Sequence, residues 1–299
     1  MKRTAIVVAV LGMCAWSFGQ GNDKPAAQTA PAGQAASPAT GQAAGQAAAP
    51  QGKRPPKVNS QEEFTAYKAA IALTDAAAQE KAADEFAAKY PESELRPLLY
   101  KAVMQRYQQA NNGDKMVEMA RKVLTIDADD PEALVAVAQV GAEQTRDTDL
   151  DKDQKFAEAK KNAERALITI DTDVPASGYP PEQLATYKNF LRSEAYFVLG
   201  TLSFKAKNWT EAETSLRKSI DALPQQPDVI AVYRLAVALD MQNKIPDALK
   251  VAAQAVDLTK DRPDSPAGKA AREEQDRLNK LNGGTAPAPA ATTPATPKG

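Results

Sequence analysis

Apolar residues recur at helical spacing through the middle of this chain, and one arrangement of them occurs twice, 36 residues apart, between Ser193 and Asp261. The first copy carries Tyr196, Leu199, Gly200, Trp209, Ala212, Leu216, Ser219, Ile220 and Pro224; the second carries Val232, Leu235, Ala236, Ile245, Ala248, Ala252, Ala255 and Val256. Tyr196, Leu199, Gly200 and Ser203 stand at i, i+3, i+4 and i+7, which predicts one amphipathic helix. Ala212, Leu216, Ile220 and Leu223 predict a second on the same grounds. Gly200, Ala212 and Ser219 put small side chains where two antiparallel helices must approach to about 8–10 Å. Asn208 is placed to cap the second helix, with Glu211 as its capping-box partner. Pro224 and Pro227 stop that helix, because proline cannot continue a helix interior. A period of this length predicts stacked helix pairs rather than one compact core.

Tyr196, Leu199, Gly200, Trp209, Ala212, Leu216, Ser219 and Pro224 resemble the tetratricopeptide repeat, a pattern of about 34 residues. Ser219 and Ser203 depart from the family's usual residues. Pro97–Asp130 repeats the spacing with Tyr100, Val103, Tyr107, Ala120, Val123 and Leu124, but Met104 and Met116 replace the expected Gly and Ala. Pro131 opens another unit (Leu134, Val137, Ala138, Gly141, then Ala159, Ala163, Ala166, Leu167), with extra residues at Glu143–Asp153. A first unit, Ser60 to Glu94, has Phe64, Tyr67, Ala82, Phe86 and Tyr90-Pro91, and its ending is similar to repeats of bacterial envelope-assembly proteins. The resemblance covers residues 60–262 and is weakest at Thr172–Leu191. It implies an all-α fold, a right-handed α-solenoid of stacked antiparallel helix pairs, with five units and a charged final helix at Ser265–Leu281.

Composition divides the 299 residues. Residues 20–57 are mostly Ala, Gln, Gly, Pro, Ser and Thr, and residues 283–299 are similar. Neither has enough large apolar side chains to offset its ordering entropy, so both are expected to be disordered, leaving 58–282 as the repeat domain. Residues 1–19 read as a secretory signal peptide: Lys2-Arg3, an apolar run Ala5–Ala15, then Ser17-Phe18-Gly19 before the cut at Gln20. The apolar run is too short to span a membrane, which takes about 20 residues. Cys14, the sole cysteine, has two readings: a thiol discarded with the signal, or a lipid-attachment site holding a tether. A 38-residue linker could reach on the order of 100 Å if extended. The chain is thus expected to be exported, periplasmic or secreted. Its net charge of −1 and lack of a basic stripe argue against nucleic-acid binding.

The chain has no histidine, which removes the commonest general base and metal ligand together. No phosphate-cradling loop appears; Gly113 after Asn111-Asn112 reads as an inter-helix turn. Asp147, Asp149, Asp151 and Glu158 match the acidic positions of an EF-hand loop, but Lys152 occupies the place of its turn glycine. The competing reading is an acidic loop opening a helix near Asp153. Asn208-Trp209-Thr210 fits a glycosylation sequon and also fits a helix cap. No cofactor, metal or catalytic residue is expected. The rival of another class is a hydrolytic or glycan-processing site within 143–158 or 172–191.

In the resembling family, first helices of successive units line a concave groove that takes a protein or peptide. Carried over, this implies Glu194, Phe197, Thr201, Phe204 and Lys205 from unit four, Ile230, Tyr233, Val237, Asp240 and Met241 from unit five, and Lys101, Gln105, Gln108 and Gln109 from unit two. Phe197, Phe204 and Tyr233 either anchor a partner or pack between units. The sequence reading is an interaction scaffold of the bacterial cell envelope with Phe197, Thr201, Phe204, Lys205, Tyr233, Val237 and Met241 as its groove.

Overall fold

A computed structural model describes residues 53–175 and 180–283. The signal segment, Cys14, most of the linker and residues 284–299 lie outside the described residues. Among the described residues there are eleven helices and no strand. They form five antiparallel pairs: α1 (Gln61–Ile71) with α2 (Ala76–Lys89), α3 (Arg96–Gln109) with α4 (Gly113–Ile126), α5 (Pro131–Gln144) with α6 (Lys152–Asp173), α7 (Pro181–Lys205) with α8 (Trp209–Ala222), and α9 (Val229–Asp240) with α10 (Ile245–Leu258). A last helix, α11 (Pro266–Leu281), packs on α9 and α10.

Local chemistry sets the helix ends. Ser60 and Glu63 close a capping box at α1, and Asp75, Asn112, Asp130, Asp228 and Ser265 each accept a main-chain N–H at the start of a helix. At α8 the expected box is half made. Asn208 accepts the Glu211 N–H at 3.5 Å, but the Glu211 carboxylate takes the Asn208 side-chain amide at 2.8 Å rather than its main chain.

Three units end their first helix identically. Asn111, Lys207 and Asn243 adopt positive φ (54°, 57° and 59°), and the next residue returns a hydrogen bond to Tyr107, Ser203 and Leu239 respectively. This is the six-to-one bond of the Schellman motif. The left-handed residue is therefore Asn111, whereas Gly113, read from sequence as the turn, is the first residue of α4.

Two pairs close on small residues. A methyl on Gly200 would sit 2.7 Å from Leu216 Cγ, and one on Gly141 would sit 3.2 Å from the Ala159 Cβ. Both pairs use the close approach that the pattern predicted. In unit two, Met104 and Met116 replace the small residues and are buried, so that pair fills the space with flexible side chains.

Consecutive pairs stack with the second helix of one on the first helix of the next (α2 on α3, α4 on α5, α6 on α7, α8 on α9), and first helices also meet where α1 touches α3, α5 touches α7 and α7 touches α9. No comparable contact joins successive second helices among the described residues. A row close-packed on one side and splayed on the other bends toward the packed side, which puts the first helices on the inner face. The extra residues at Thr172–Leu191 lengthen α6 and α7 beyond their neighbours. Their added turns bury Ile170, Val174 and Leu191 with Leu184, Tyr187 and Phe190, and Arg192 and Lys188 pair with Asp171. The insertion thus builds a small core of its own.

Candidate functional site

The face of α7 carrying Phe197, Thr201 and Lys205 is turned toward its neighbours, in line with the packing alternative. Phe197 is 1% exposed and Thr201 0%. Arg234 on α9 lies over the Phe197 ring, 5.2 Å from its centroid. One nitrogen of that guanidinium donates to Thr201 Oγ1 at 2.6 Å and to Glu143 Oε1 on α5 at 3.0 Å. Lys205 reaches back to the end of α5 and donates to the carbonyl oxygens of Ala142 (2.6 Å), Thr145 (3.0 Å) and Glu143 (3.4 Å). Those are terminal carbonyls that a helix cannot satisfy internally, and a cation suits that end of the helix dipole. Burial lowers the Lys205 pKa, while the carbonyl oxygens favour its charged form. Phe197, Thr201 and Lys205 therefore serve the seam between units.

Phe204 is half-buried and stacks edge-on against Trp209, 5.4 Å between centroids. Tyr233 is half-buried beside α11; burial raises its pKa, and the nearby Glu274 and Glu273 add to the shift. Val237 is half-exposed. Met241, at the end of α9, is 53% exposed. Of the seven residues expected to line the groove, Met241 is exposed, and Phe204, Tyr233 and Val237 are each partly exposed.

Sequence reasoning missed Arg234 and Glu143, which join α5, α7 and α9. The available signal was one arginine inside an otherwise apolar helix, Val229–Asp240.

The N-terminal half of the inner row is polar. Lys101 bridges Asp130 (2.9 Å) and Glu132 (3.6 Å), and Gln105 donates to Glu132 at 2.8 Å. Burial lowers the Lys101 pKa, but Asp130 and Glu132 outweigh it and the net shift is upward. Gln108 and Gln109 are exposed.

The acidic loop does not assemble a cation cage. Lys152 pairs with Asp147 at 2.9 Å, Lys155 with Asp151 at 2.9 Å and with Asp149 at 3.5 Å. Glu158 turns away to Arg121 on α4 at 2.7 Å. Among the described residues no three acidic side chains converge as metal ligands, and no helix is long and apolar enough to cross a membrane. Asp147, Asp149 and Asp151 thus sit beside lysines, while Glu143 faces Arg234.

These features define the class: an all-α stack of tetratricopeptide-like helix pairs. No protein-family profile and no curated protein matches the chain. Solved structures similar to it include PilW, MamA and Acl4. PilW, a widely conserved type IV pilus biogenesis factor, aligns at 18% identity over 74% of this chain and 94% of its own, with a TM-score of 0.45. A MamA double mutant (RS-1 ArsTM) aligns at 16% over 62% and 94%, with a TM-score of 0.38. The assembly chaperone of RpL4, Acl4, aligns at 13% over 75% and 98%, with a TM-score of 0.40.

Proposed function

We propose that this chain is a non-enzymatic protein–protein interaction scaffold of the bacterial cell envelope, taking a partner protein or peptide along the inner row of first helices. The observation that carries the reading is that row itself. First helices α5, α7 and α9 meet in series, and the row offers a partly open apolar end at Val237 and Met241 and a polar end at Gln105, Gln108 and Gln109. An exposed methionine beside a half-exposed valine suits an apolar anchor of a bound helix or extended peptide, since thioethers adapt to irregular partners. The signal-like residues 1–19 support an exported setting.

Crosslinking pull-down from the envelope fraction, with the full chain as bait, tests the reading. A Val237→Glu, Met241→Glu version is run beside it. The expected result is one protein enriched by the first bait, lost with the second, with helicity and melting retained. Enrichment that is the same with both baits, or none with either, overturns the proposed surface.

A further inference from the structure

The residues that lead into α1 do not approach it from the end of the stack. Residues 53–59 are non-helical and run along the turns that join one unit to the next. Lys53 pairs with Asp127 in the turn between α4 and α5. Arg54 places its two terminal nitrogens on the two oxygens of Glu94, in the turn between α2 and α3, at 2.7 and 2.6 Å. The main-chain N–H of Lys57 donates to Glu94 Oε2 at 2.8 Å. Val58 packs against the core of the first two units, and Asn59 and Ser60 then deliver their N–H groups to Glu63 Oε2 at 2.5 and 3.2 Å. The direction is thus opposite to that of the stack: from the junction of units two and three, past that of units one and two, to the start of α1.

We propose that residues 53–57 are a charge-latched strap, which makes the preceding residues leave the repeat domain beside the α4–α5 turn instead of at the free end of α1. The inference does not rest on the proposed function. Three features make the segment a latch rather than a chance contact. The Arg54–Glu94 pair is bidentate, the geometry that gives arginine–carboxylate pairs their directionality. Glu94 also takes a main-chain amide, so one carboxylate ties down both ends of the Arg54–Lys57 stretch. Pro55 and Pro56 lie between those ends and restrict the chain to extended conformations, which reduces the freedom lost on docking. The track is acidic where the strap is basic: Asp127, Asp129 and Asp130 form one turn, and Glu92 and Glu94 belong to the other.

The test uses the full chain with Cys14→Ser, carrying paired spin labels at Gln51→Cys and Ala128→Cys. Dipolar distance measurement is expected to give one narrow distribution. Glu94→Arg should broaden it, because a free seven-residue segment would wander on the order of 13–16 Å from its anchor. The exchanged pair Arg54→Glu, Glu94→Arg should narrow it again. Salt at about 1 M, where the screening length falls to about 3 Å, should broaden the parent chain with no substitution at all, which keeps the test decisive if a variant folds poorly. A distribution as broad in the parent as in Glu94→Arg, no response to Glu94→Arg or to salt, or no recovery on exchange would overturn the latch.

Discussion

Gly200 shows how much of this fold rests on single methyl groups. An alanine there would press its Cβ to 2.7 Å from Leu216 Cγ and 3.2 Å from the Leu216 main-chain nitrogen. The leucine tip can rotate, but the backbone cannot, so α7 and α8 must separate. Overpacking of this kind costs about 1–3 kcal/mol, against a gain of up to about 1 kcal/mol from the better helix propensity of alanine. Gly200→Ala is therefore expected to lower stability in urea denaturation, while Gly141→Ala, facing Ala159 at 3.2 Å, does so less. An increase in stability with Gly200→Ala would mean that the helix pair is looser than described. Close-approach residues of this kind were legible in the sequence, because a glycine or alanine at a fixed offset from large apolar residues marks where a second helix must come near. The left-handed positions were less so. Lys207 takes the same positive φ as Asn111 and Asn243, and nothing in a lysine announces it.

At the scale of elements, the rotation of α7 decides which of its residues pack against other units. Phe197, Thr201 and Lys205 share one face of α7, as their spacing required, but spacing does not say which neighbour that face meets. Contact with α9 and with the end of α5 decides it, and both partners, Arg234 and Glu143, come from other repeats. Lys205→Met separates the two roles. As a clamp on the α5 carbonyls, its loss leaves acceptors unmet and is expected to cost about 1–3 kcal/mol. Measured by chemical denaturation, a loss of that size supports the clamp. Unchanged stability with weakened partner binding would return Lys205 to the groove. The helical extension at α7 was partly legible, since Pro180-Pro181 followed by Glu182 marks a helix start. The small core it shares with α6 was not, because Val174 and Leu191 belong to no repeat position.

For the whole molecule, the strap adds a dependence on acidity. The Arg54 side chain and the Lys57 amide hold the Glu94 carboxyl down to about 2, against an ordinary value of 4.5. A carboxyl whose folded pKa is depressed contributes stability that is present above its unfolded value and lost as the pH falls through the folded one. Strap docking should thus persist from neutral pH to about 4.5 and weaken between there and about 2. Following the Glu94 carboxyl by NMR checks this; a midpoint near 4.5 would mean that Arg54 does not bind it in solution. No periodicity pointed to this contact, since Lys53 and Arg54 find partners 74 and 40 residues away. The helical pairing, by contrast, was legible, because apolar residues recur at helical spacing in pair after pair.

The uneven packing of the inner row has a mechanical consequence. Helices α5, α7, α9 and α11 touch in series, and Arg234 and Lys205 rivet three of those elements together. Between α3 and α5 no contact of comparable extent exists among the described residues; there the inner row is bridged by Lys101 and Gln105 with Asp130 and Glu132. Under a bending load the riveted helices α5, α7 and α9 are therefore expected to move together as one arm.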